Sequence, residues 1–250
     1  MNHFGRLELS PSLEREVQLI ESFIKQQTPA DGVTRILEAG CGRRWVLGLD
    51  GVKYLLTGVD SDPAALDIRK NVMRDLDEAV VGDLRTVIFD DAKFDVIYNC
   101  FVLEHIYGAE NVLQSFVRWL KPGGLIIIRI PDPDSVQGFI TRMTPHWFHI
   151  FYYRYLLKNH MAGHPGYPPY PTYYDSVVSR QGLHRFCEKN NLSIKAEYGD
   201  GYFRPGYGAM QVAIDVIKRT IAFLSLGKLS ERHTNLLYVL QANNKPESGS

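Results

Sequence analysis

Five short apolar runs, separated by helical stretches, are the feature of this sequence that most constrains its fold. The runs are TRILEAGCG, KYLLTGVD, EAVVGD, FDVIYNC and GLIIIRI, and segments such as PAALDIRKNVM and GAENVLQSFVRWL lie between them. Continuous apolar runs are typical of strands buried on both faces, and their alternation with helices predicts a parallel sheet. LSIKAEYG and TNLLYVLQA add two later strands around a helix. We therefore predict a Rossmann-like α/β fold with a seven-stranded, mostly parallel sheet and flanking helices.

The composition excludes several classes of protein. Lys and Arg together number 28, as do Asp and Glu, so no basic surplus favours a nucleic-acid partner. No run of eighteen apolar residues would span a bilayer, and the start MNHFGRLELS has no secretory pattern. Cys41, Cys100 and Cys187 lack disulfide and metal-ligand spacing. We expect a cytoplasmic protein with no nucleic-acid partner, no transmembrane segment and no bound metal.

Acidic residues follow successive predicted strands. Gly40 and Gly42 end the first strand, where the absence of side chains lets the backbone turn and approach a ligand. Asp60 ends the second strand, eighteen positions after Gly42, near the spacing at which a carboxylate reaches ribose hydroxyls. Asp83 follows the third strand and can accept a hydrogen bond from an adenine amine. Asp62, before a proline, is predicted to cap the next helix.

Taken in order, ILEAGCG, GVD, GD, FDVIYNCFVLEHI and LKPGGLIIIRIPD resemble the motifs of the class I S-adenosylmethionine-dependent methyltransferases of the small-molecule type. The resemblance is close over residues 30–135 and general elsewhere. It implies S-adenosyl-L-methionine as the cofactor and a small-molecule acceptor as the partner. The cofactor-binding residues that it implies are Glu38, Gly40, Gly42, Asp60, Ser61, Asp83, Leu84, Asn99 and Cys100.

This resemblance also suggests how the chain is organised. We expect one methyltransferase domain over 1–250. Its parts are an N-terminal helix in 1–29, a cofactor-binding half in 30–135, an aromatic insert or lid in 136–180, a C-terminal helix and strands in 181–244, and a flexible tail in 245–250.

The loop after Gly42 departs from the family pattern. The family often has a third glycine and a full helix there, whereas this chain has Arg43-Arg44-Trp45 and ten residues before the next strand. We predict that the first helix is short or missing. Arg43 or Arg44 then meets either an anionic group of cofactor or substrate, or solvent alone. The same loop disfavours a nicotinamide-dependent dehydrogenase, whose G-x-G-x-x-G runs into a long helix.

An aromatic insert of about 48 residues separates the fifth strand from a helix predicted near Ser179. It holds seven of the fourteen tyrosines and four of the eight histidines. Loops of this length are usually lids or binding loops. Aromatic residues over 147–155 recur at helical spacing, which predicts a helix with an aromatic face. That face either covers an apolar acceptor or packs on the sheet or on a second subunit.

Methyl transfer from a sulfonium is an in-line displacement, so the protein mainly aligns the reactants and excludes water. A base is needed only if the acceptor must lose a proton. The candidate catalytic residues are His105, which alternatively belongs to a structural turn, and His146 and His149 of the insert. We predict a methyltransferase for a small, apolar or aromatic acceptor. A cofactor-binding protein without transfer activity and a protein-directed methyltransferase are the alternatives.

The segment 208–227, GAMQVAIDVIKRTIAFLSLG, is apolar over more than one helical face. It is predicted to pack against the sheet or in a homodimer, and peripheral contact with a membrane surface is a further interpretation.

Overall fold

One mixed sheet forms the centre of the computed structural model, which describes residues 7–27, 29, 31–164, 167–173, 175–200 and 208–243. The strands are β1 (Glu8–Ser10), β2 (Thr34–Ala39), β3 (Tyr54–Asp60), β4 (Glu78–Val81), β5 (Phe94–Cys100), β6 (Leu120–Pro131), β7 (Leu192–Asp200) and β8 (Asn235–Ala242). Their order is β1-β7-β8-β6-β5-β2-β3-β4, and β8 is antiparallel to both β6 and β7.

This architecture confirms the predicted Rossmann-like fold. The seven predicted strands are β2 to β8, and every pairing among β2 to β6 is parallel. The strand count differs by one in the described chain, because β1 pairs with β7 at the edge of the sheet. Three residues are too short to show a two-residue alternation, so sequence reasoning missed β1.

Helices cover both faces of the sheet. They are α1 (Leu13–Lys25), α2 (Pro63–Asp67), α3 (Ala109–Trp119), α4 (Val136–Met143), α5 (His146–Phe151), α6 (Arg180–Lys189) and α7 (Gly208–Leu224). Wider π-helical turns continue α2 over Ile68–Met73 and α5 over Tyr152–Leu156, and a 3-10 turn covers Leu103–His105. Asp62 caps α2 as predicted, since its Oδ1 accepts a hydrogen bond from the Ala64 backbone N–H at 3.0 Å.

The two faces of the sheet carry separate apolar cores. Ile36 and Leu37 are adjacent on β2 and both fully buried, because successive strand side chains point to opposite faces. Ile36 packs with Ile20 and Ile24 of α1. Leu37 lies in the other core, with residues of α3 and α6. Burial of the strand on both faces explains why the two apolar residues Ile36 and Leu37 are adjacent rather than alternating with polar ones.

The connection between β2 and β3 contains no helix over residues 40–53, all of which the structure describes. This agrees with the predicted short or missing helix. Leu47 and Leu49 are buried in its place, and the Trp45 ring meets the Tyr98 ring edge-on at 5.8 Å. The connection is therefore packed down by side chains rather than by a helix.

The C-terminal helix α7 ends at Leu224, three residues before the predicted end at position 227. Val212, Val216 and Ile217 on it are more than half exposed. Among the described helices, none is long and apolar enough to cross a membrane. Homodimer formation and peripheral membrane contact through this helix stay predictions, and the predicted tail at 245–250 lies outside the described residues.

Candidate active site

A cavity of about 1080 Å³ opens at the carboxyl ends of β2, β3 and β5. We call it the first cavity. The chain runs outward from β2 through β3 and β4, and then returns to β5 on the other side of β2. Ligands of open α/β sheets bind at such a reversal of strand order. Predicted site residues that line the first cavity are Gly40, Gly42, Asp60, Ser61, Asp83, Leu84, Cys100 and His105.

The two glycines of the loop after β2 have different roles. Gly40 has a φ of +77°, and a Cβ there would lie 2.3 Å from Cγ2 of Val102, so no other residue fits without displacing that side chain. Gly42 has a φ of +55° and no atom within 4 Å of its Cβ position. Gly40 is therefore required for packing, whereas Gly42 leaves open space on the cavity side of the loop.

Asp60 joins this loop to the turn after β3. Its Oδ2 accepts a hydrogen bond from the Gly42 backbone N–H at 2.8 Å, and its Oδ1 accepts one from the Asp62 backbone N–H at 2.9 Å. Each carboxylate oxygen has a second lone pair. The carboxylate is thus fixed in orientation by the backbone while retaining capacity to accept from a ligand in the first cavity.

Asp83, after β4, is paired with a neighbouring cation. Arg85 Nη2 lies 2.5 Å from Asp83 Oδ2, and Arg85 Nε lies 3.0 Å from both carboxylate oxygens. These hydrogen bonds from Arg85 lower the pKa of Asp83. Both side chains are exposed, whereas Leu84 is buried and presents an apolar surface beside them.

Glu38 and Asn99 lie outside the residues that line the first cavity. Glu38 is buried beneath the glycine loop and accepts a hydrogen bond from Arg69 Nη2 at 2.7 Å. Burial raises the pKa of Glu38, and the Arg69 guanidinium opposes that rise. Asn99 is fully buried and donates from Nδ2 to the carbonyl oxygen of Ala39 at 2.8 Å. Both side chains support the loop from below.

Arg69 is a residue that sequence reasoning missed. Its fully buried guanidinium donates to Glu38, to Asp75 Oδ1 at 2.8 Å and to the Cys41 carbonyl oxygen at 2.7 Å. Glu38 and Cys41 lie at the end of β2 and in the loop after it, whereas Asp75 follows the turn that contains Arg69. The distinctive signal in the sequence was the acid at position 38 within a buried strand, which requires a cationic partner.

The loop arginines have different surroundings. Arg43 lines the first cavity, lies 3.3 Å from the Asp62 carboxylate, and stacks over the Tyr167 ring with its guanidinium carbon 5.2 Å from the ring centre. Arg44 is exposed and lies outside the lining. Arg43 therefore joins the glycine loop to the aromatic insert.

The insert reaches the first cavity through its proline and tyrosine run rather than through its helix. Tyr167, Pro168, Tyr170, Pro171 and Tyr173 line the cavity. In contrast, the aromatic side chains of α5 are exposed, as is Tyr155 in the turn after it: Trp147 is 67% exposed and Tyr155 65%. The predicted helix exists, but its aromatic face does not cover the cavity.

Only one of the three predicted catalytic histidines lines the first cavity. His105 lines the first cavity, whereas His146 and His149 lie outside its lining, and His149 Nε2 lies 2.6 Å from Thr144 Oγ1. Burial lowers the pKa of His105, which favours its neutral form. Its Nδ1 lies 2.8 Å from the Pro171 carbonyl oxygen, so Nδ1 carries the proton and Nε2 is left as an acceptor.

A second cavity of about 330 Å³ adjoins the first. Phe101 and Tyr173 line both cavities. The second cavity also contains Glu104, which is 4% exposed and whose Oε2 has no hydrogen-bond partner among the described residues. Burial raises the pKa of Glu104 to about 8. Sequence reasoning did not single out Glu104 as a site residue. Within the described residues, no group of three or more His, Cys, Asp or Glu side chains could hold a metal ion.

Residues 37–128 match the family described as the methyltransferase domain. The chain is also 29% identical over 117 residues to phosphoethanolamine N-methyltransferase 3 of Arabidopsis thaliana. Residues 37–128 thus form a methyltransferase domain, which supports a class I S-adenosylmethionine-dependent methyltransferase. The cofactor of this methyltransferase family is S-adenosyl-L-methionine. The alignment covers 40% of this chain and 23% of the Arabidopsis protein, so the chain matches about a quarter of that relative's length.

Solved structures share the fold of this methyltransferase domain. An S-adenosylmethionine-dependent methyltransferase from Methanosarcina mazei superposes with a TM-score of 0.55 at 15% identity, covering 96% of this chain and 100% of the other. The [4+2]-cyclase SpnF superposes with a TM-score of 0.55 at 15% identity, covering 98% and 89%. The two named activities differ, so the fold by itself does not fix the reaction.

Proposed function

We propose that this chain transfers a methyl group from S-adenosyl-L-methionine to a small, apolar or aromatic molecule. The observation that carries the proposal is the first cavity, where an open glycine loop, a backbone-fixed carboxylate and an apolar floor meet at the reversal of strand order. The matched methyltransferase domain covers the glycine loop, Asp60, Asp83 and most of β6.

The residues of the first cavity fit the parts of this cofactor. The open side of Gly42 accommodates the methionine part without a Cβ in the way. The free lone pairs of Asp60 accept from the two ribose hydroxyls, while Gly42 and Asp62 hold the carboxylate in place. Leu84 provides an apolar surface for the adenine, and Asp83 lies next to it.

When bound, S-adenosyl-L-methionine supplies a methyl group on a sulfonium, which is open to in-line attack. The task of the chain is to align the acceptor and to exclude water, and alignment of this kind supplies roughly 7 to 11 kcal/mol. Tyr167, Tyr170 and Tyr173 line the first cavity, and we expect them to shield the bound sulfonium from water. His105 Nδ1–H donates a hydrogen bond to the Pro171 carbonyl oxygen. This bond fixes the tyrosine run to the turn after β5.

The second cavity is our proposed acceptor site. It adjoins the first cavity, and the rings of Phe101, Tyr153 and Tyr173 line it. Its volume of about 330 Å³ suits a small molecule. The relative named for phosphoethanolamine supports a small acceptor in size only, since the acceptor proposed here carries no phosphate.

Isothermal titration calorimetry with S-adenosyl-L-methionine and S-adenosyl-L-homocysteine tests the cofactor assignment. We expect the wild type to bind both and Asp60→Ala to bind both at least tenfold more weakly, since each hydrogen bond to a charged group contributes about 1.5–3 kcal/mol. Asp90→Ala is the matched control, because Asp90 is exposed and lies outside the first cavity. Asp60→Asn, with thermal melting of every variant, separates lost binding from lost folding. Absence of binding by the folded wild type would contradict the proposal.

A further inference from the structure

Glu104 is a buried acid with one carboxyl oxygen, Oε2, that has no hydrogen-bond partner among the described residues. It is 4% exposed. Its Oε1 lies 3.9 Å from His105 Nε2, which is beyond hydrogen-bond distance, and His105 carries its proton on the other nitrogen. A buried carboxyl left in this state costs stability unless a ligand supplies the missing donor.

The second cavity surrounds this acid with uncharged groups. Its described lining contains no Lys, Arg or His, and Glu104 is its only carboxyl group. The other polar groups there are neutral amides and hydroxyls, such as Gln137, Thr141 and Asn235. A phosphate or carboxylate in this cavity would face a buried acid and find no cation to pair with. The lining therefore disfavours anionic acceptors and favours molecules that donate a hydrogen bond.

Contacts around Glu104 connect its position to the first cavity. Its backbone carbonyl oxygen accepts a hydrogen bond from the Tyr173 N–H at 2.7 Å. Phe101, the other residue shared by both cavities, has Arg129 stacked over its ring at 4.7 Å. These contacts fix the two rings between the cavities. A molecule held at Glu104 is thereby placed beside the wall that faces the cofactor cavity.

We propose that Glu104 determines acceptor specificity: the second cavity takes a small molecule without negative charge, through an O–H or N–H group that donates to Glu104 Oε2. The proposal rests on the assignment of the first cavity to S-adenosyl-L-methionine. It narrows the acceptor to alcohols, phenols and amines, and it excludes phosphorylated and carboxylated compounds. Glu104 acts here by binding the acceptor. This role does not depend on which acceptor atom receives the methyl group.

Matched fragments provide the test, with saturation-transfer NMR at a saturating concentration of S-adenosyl-L-homocysteine and at pH 9, where Glu104, with a pKa of about 8, is ionised and can only accept a hydrogen bond. The probes are benzyl alcohol, benzylamine, benzyl methyl ether and benzoate, which share a ring and differ in donor and charge. We expect the wild type to bind the alcohol and the amine about tenfold more tightly than the ether and benzoate. Glu104→Leu should remove this preference, and Glu104→Gln should weaken it. Glu188→Gln, an exposed control on α6, should keep it.

Calorimetry with S-adenosyl-L-homocysteine on the same variants separates this proposal from the assignment of the cofactor. Glu104 lies outside the first cavity, so its variants should bind the homocysteine product as the wild type does. Equal binding of ether and alcohol by the wild type, tighter binding of benzoate, or binding of none of the four would overturn the role of Glu104 even when the cofactor product binds. Failure of the wild type to bind S-adenosyl-L-homocysteine would instead overturn the proposed function.

Discussion

The two cavities differ in how their acids are partnered. In the first cavity, Asp60 accepts from two backbone N–H groups and Asp83 is paired with Arg85, so both carboxylates are held by the protein itself. In the second cavity, Glu104 Oε2 has no partner among the described residues. The difference indicates that the first cavity is built before any ligand arrives, whereas the second cavity, our proposed acceptor site, needs a hydrogen-bond donor from outside.

Arg69→Ala gives the largest expected effect, because the first cavity depends on the network beneath the glycine loop. The substitution leaves Glu38 buried without its cation and removes two further hydrogen bonds. We expect the free energy of unfolding to fall by about 3–5 kcal/mol. Urea denaturation measures it, with the exposed Arg185→Ala as the control for losing an arginine. A loss below 1 kcal/mol would show that the network does not support the first cavity.

Gly40→Ala tests the rigidity of the glycine loop itself. Alanine at a positive φ costs about 1–2 kcal/mol, and here its Cβ would also clash with Val102. Gly51 has a φ of +82° with no atom within 4 Å of its Cβ position, so Gly51→Ala carries the backbone cost alone. We expect Gly40→Ala to lower the melting temperature more than Gly51→Ala and to weaken binding of S-adenosyl-L-homocysteine. Equal shifts would mean that Val102 yields and that the loop is not rigid.

Glu104→Gln tests the acceptor side through stability. Replacing a buried, unpartnered carboxyl should stabilise the fold by about 1–3 kcal/mol, because the desolvation penalty falls. Since burial raises the pKa of Glu104 to about 8, above about 4.3 for a free glutamate, wild-type stability is lost as the pH rises from about 4 through 8. Glutamine does not titrate. The gain in melting temperature should therefore be larger at pH 9 than at pH 6, and a pH-independent gain would contradict the unpartnered state.

The residues of the first cavity were largely predictable from the sequence, because the patterns that mark them are local. Strand geometry places the glycines at the end of one strand beside the acid at the end of the next. Gly42 and Asp60 are therefore close enough to form a hydrogen bond. Arg69 escaped because its partner Glu38 lies 31 positions away on another element. No sequence pattern identifies which cation pairs with the buried acid at position 38.

The roles of the aromatic insert and of Glu104 were less predictable, because burial and exposure decide them. Helical spacing correctly predicted an aromatic face on α5, yet periodicity does not say which way a face points, and Trp147 is exposed. The first cavity is lined instead by the proline and tyrosine run from Tyr167 to Tyr173. Glu104 was visible beside His105 in the sequence, but its importance comes from the missing partner, which only the packed structure reveals.

Transfer of a labelled methyl group tests the central claim most directly. The purified protein is incubated with S-adenosyl-L-methionine labelled in its methyl group and a broad extract of small metabolites, and the products are separated and analysed by mass. We predict label in a product of low molecular mass with the wild type and with Asp90→Ala, and little or none with Asp60→Ala. A wild type that binds the cofactor but labels no metabolite would contradict the account and favour a cofactor-binding protein that does not transfer methyl groups.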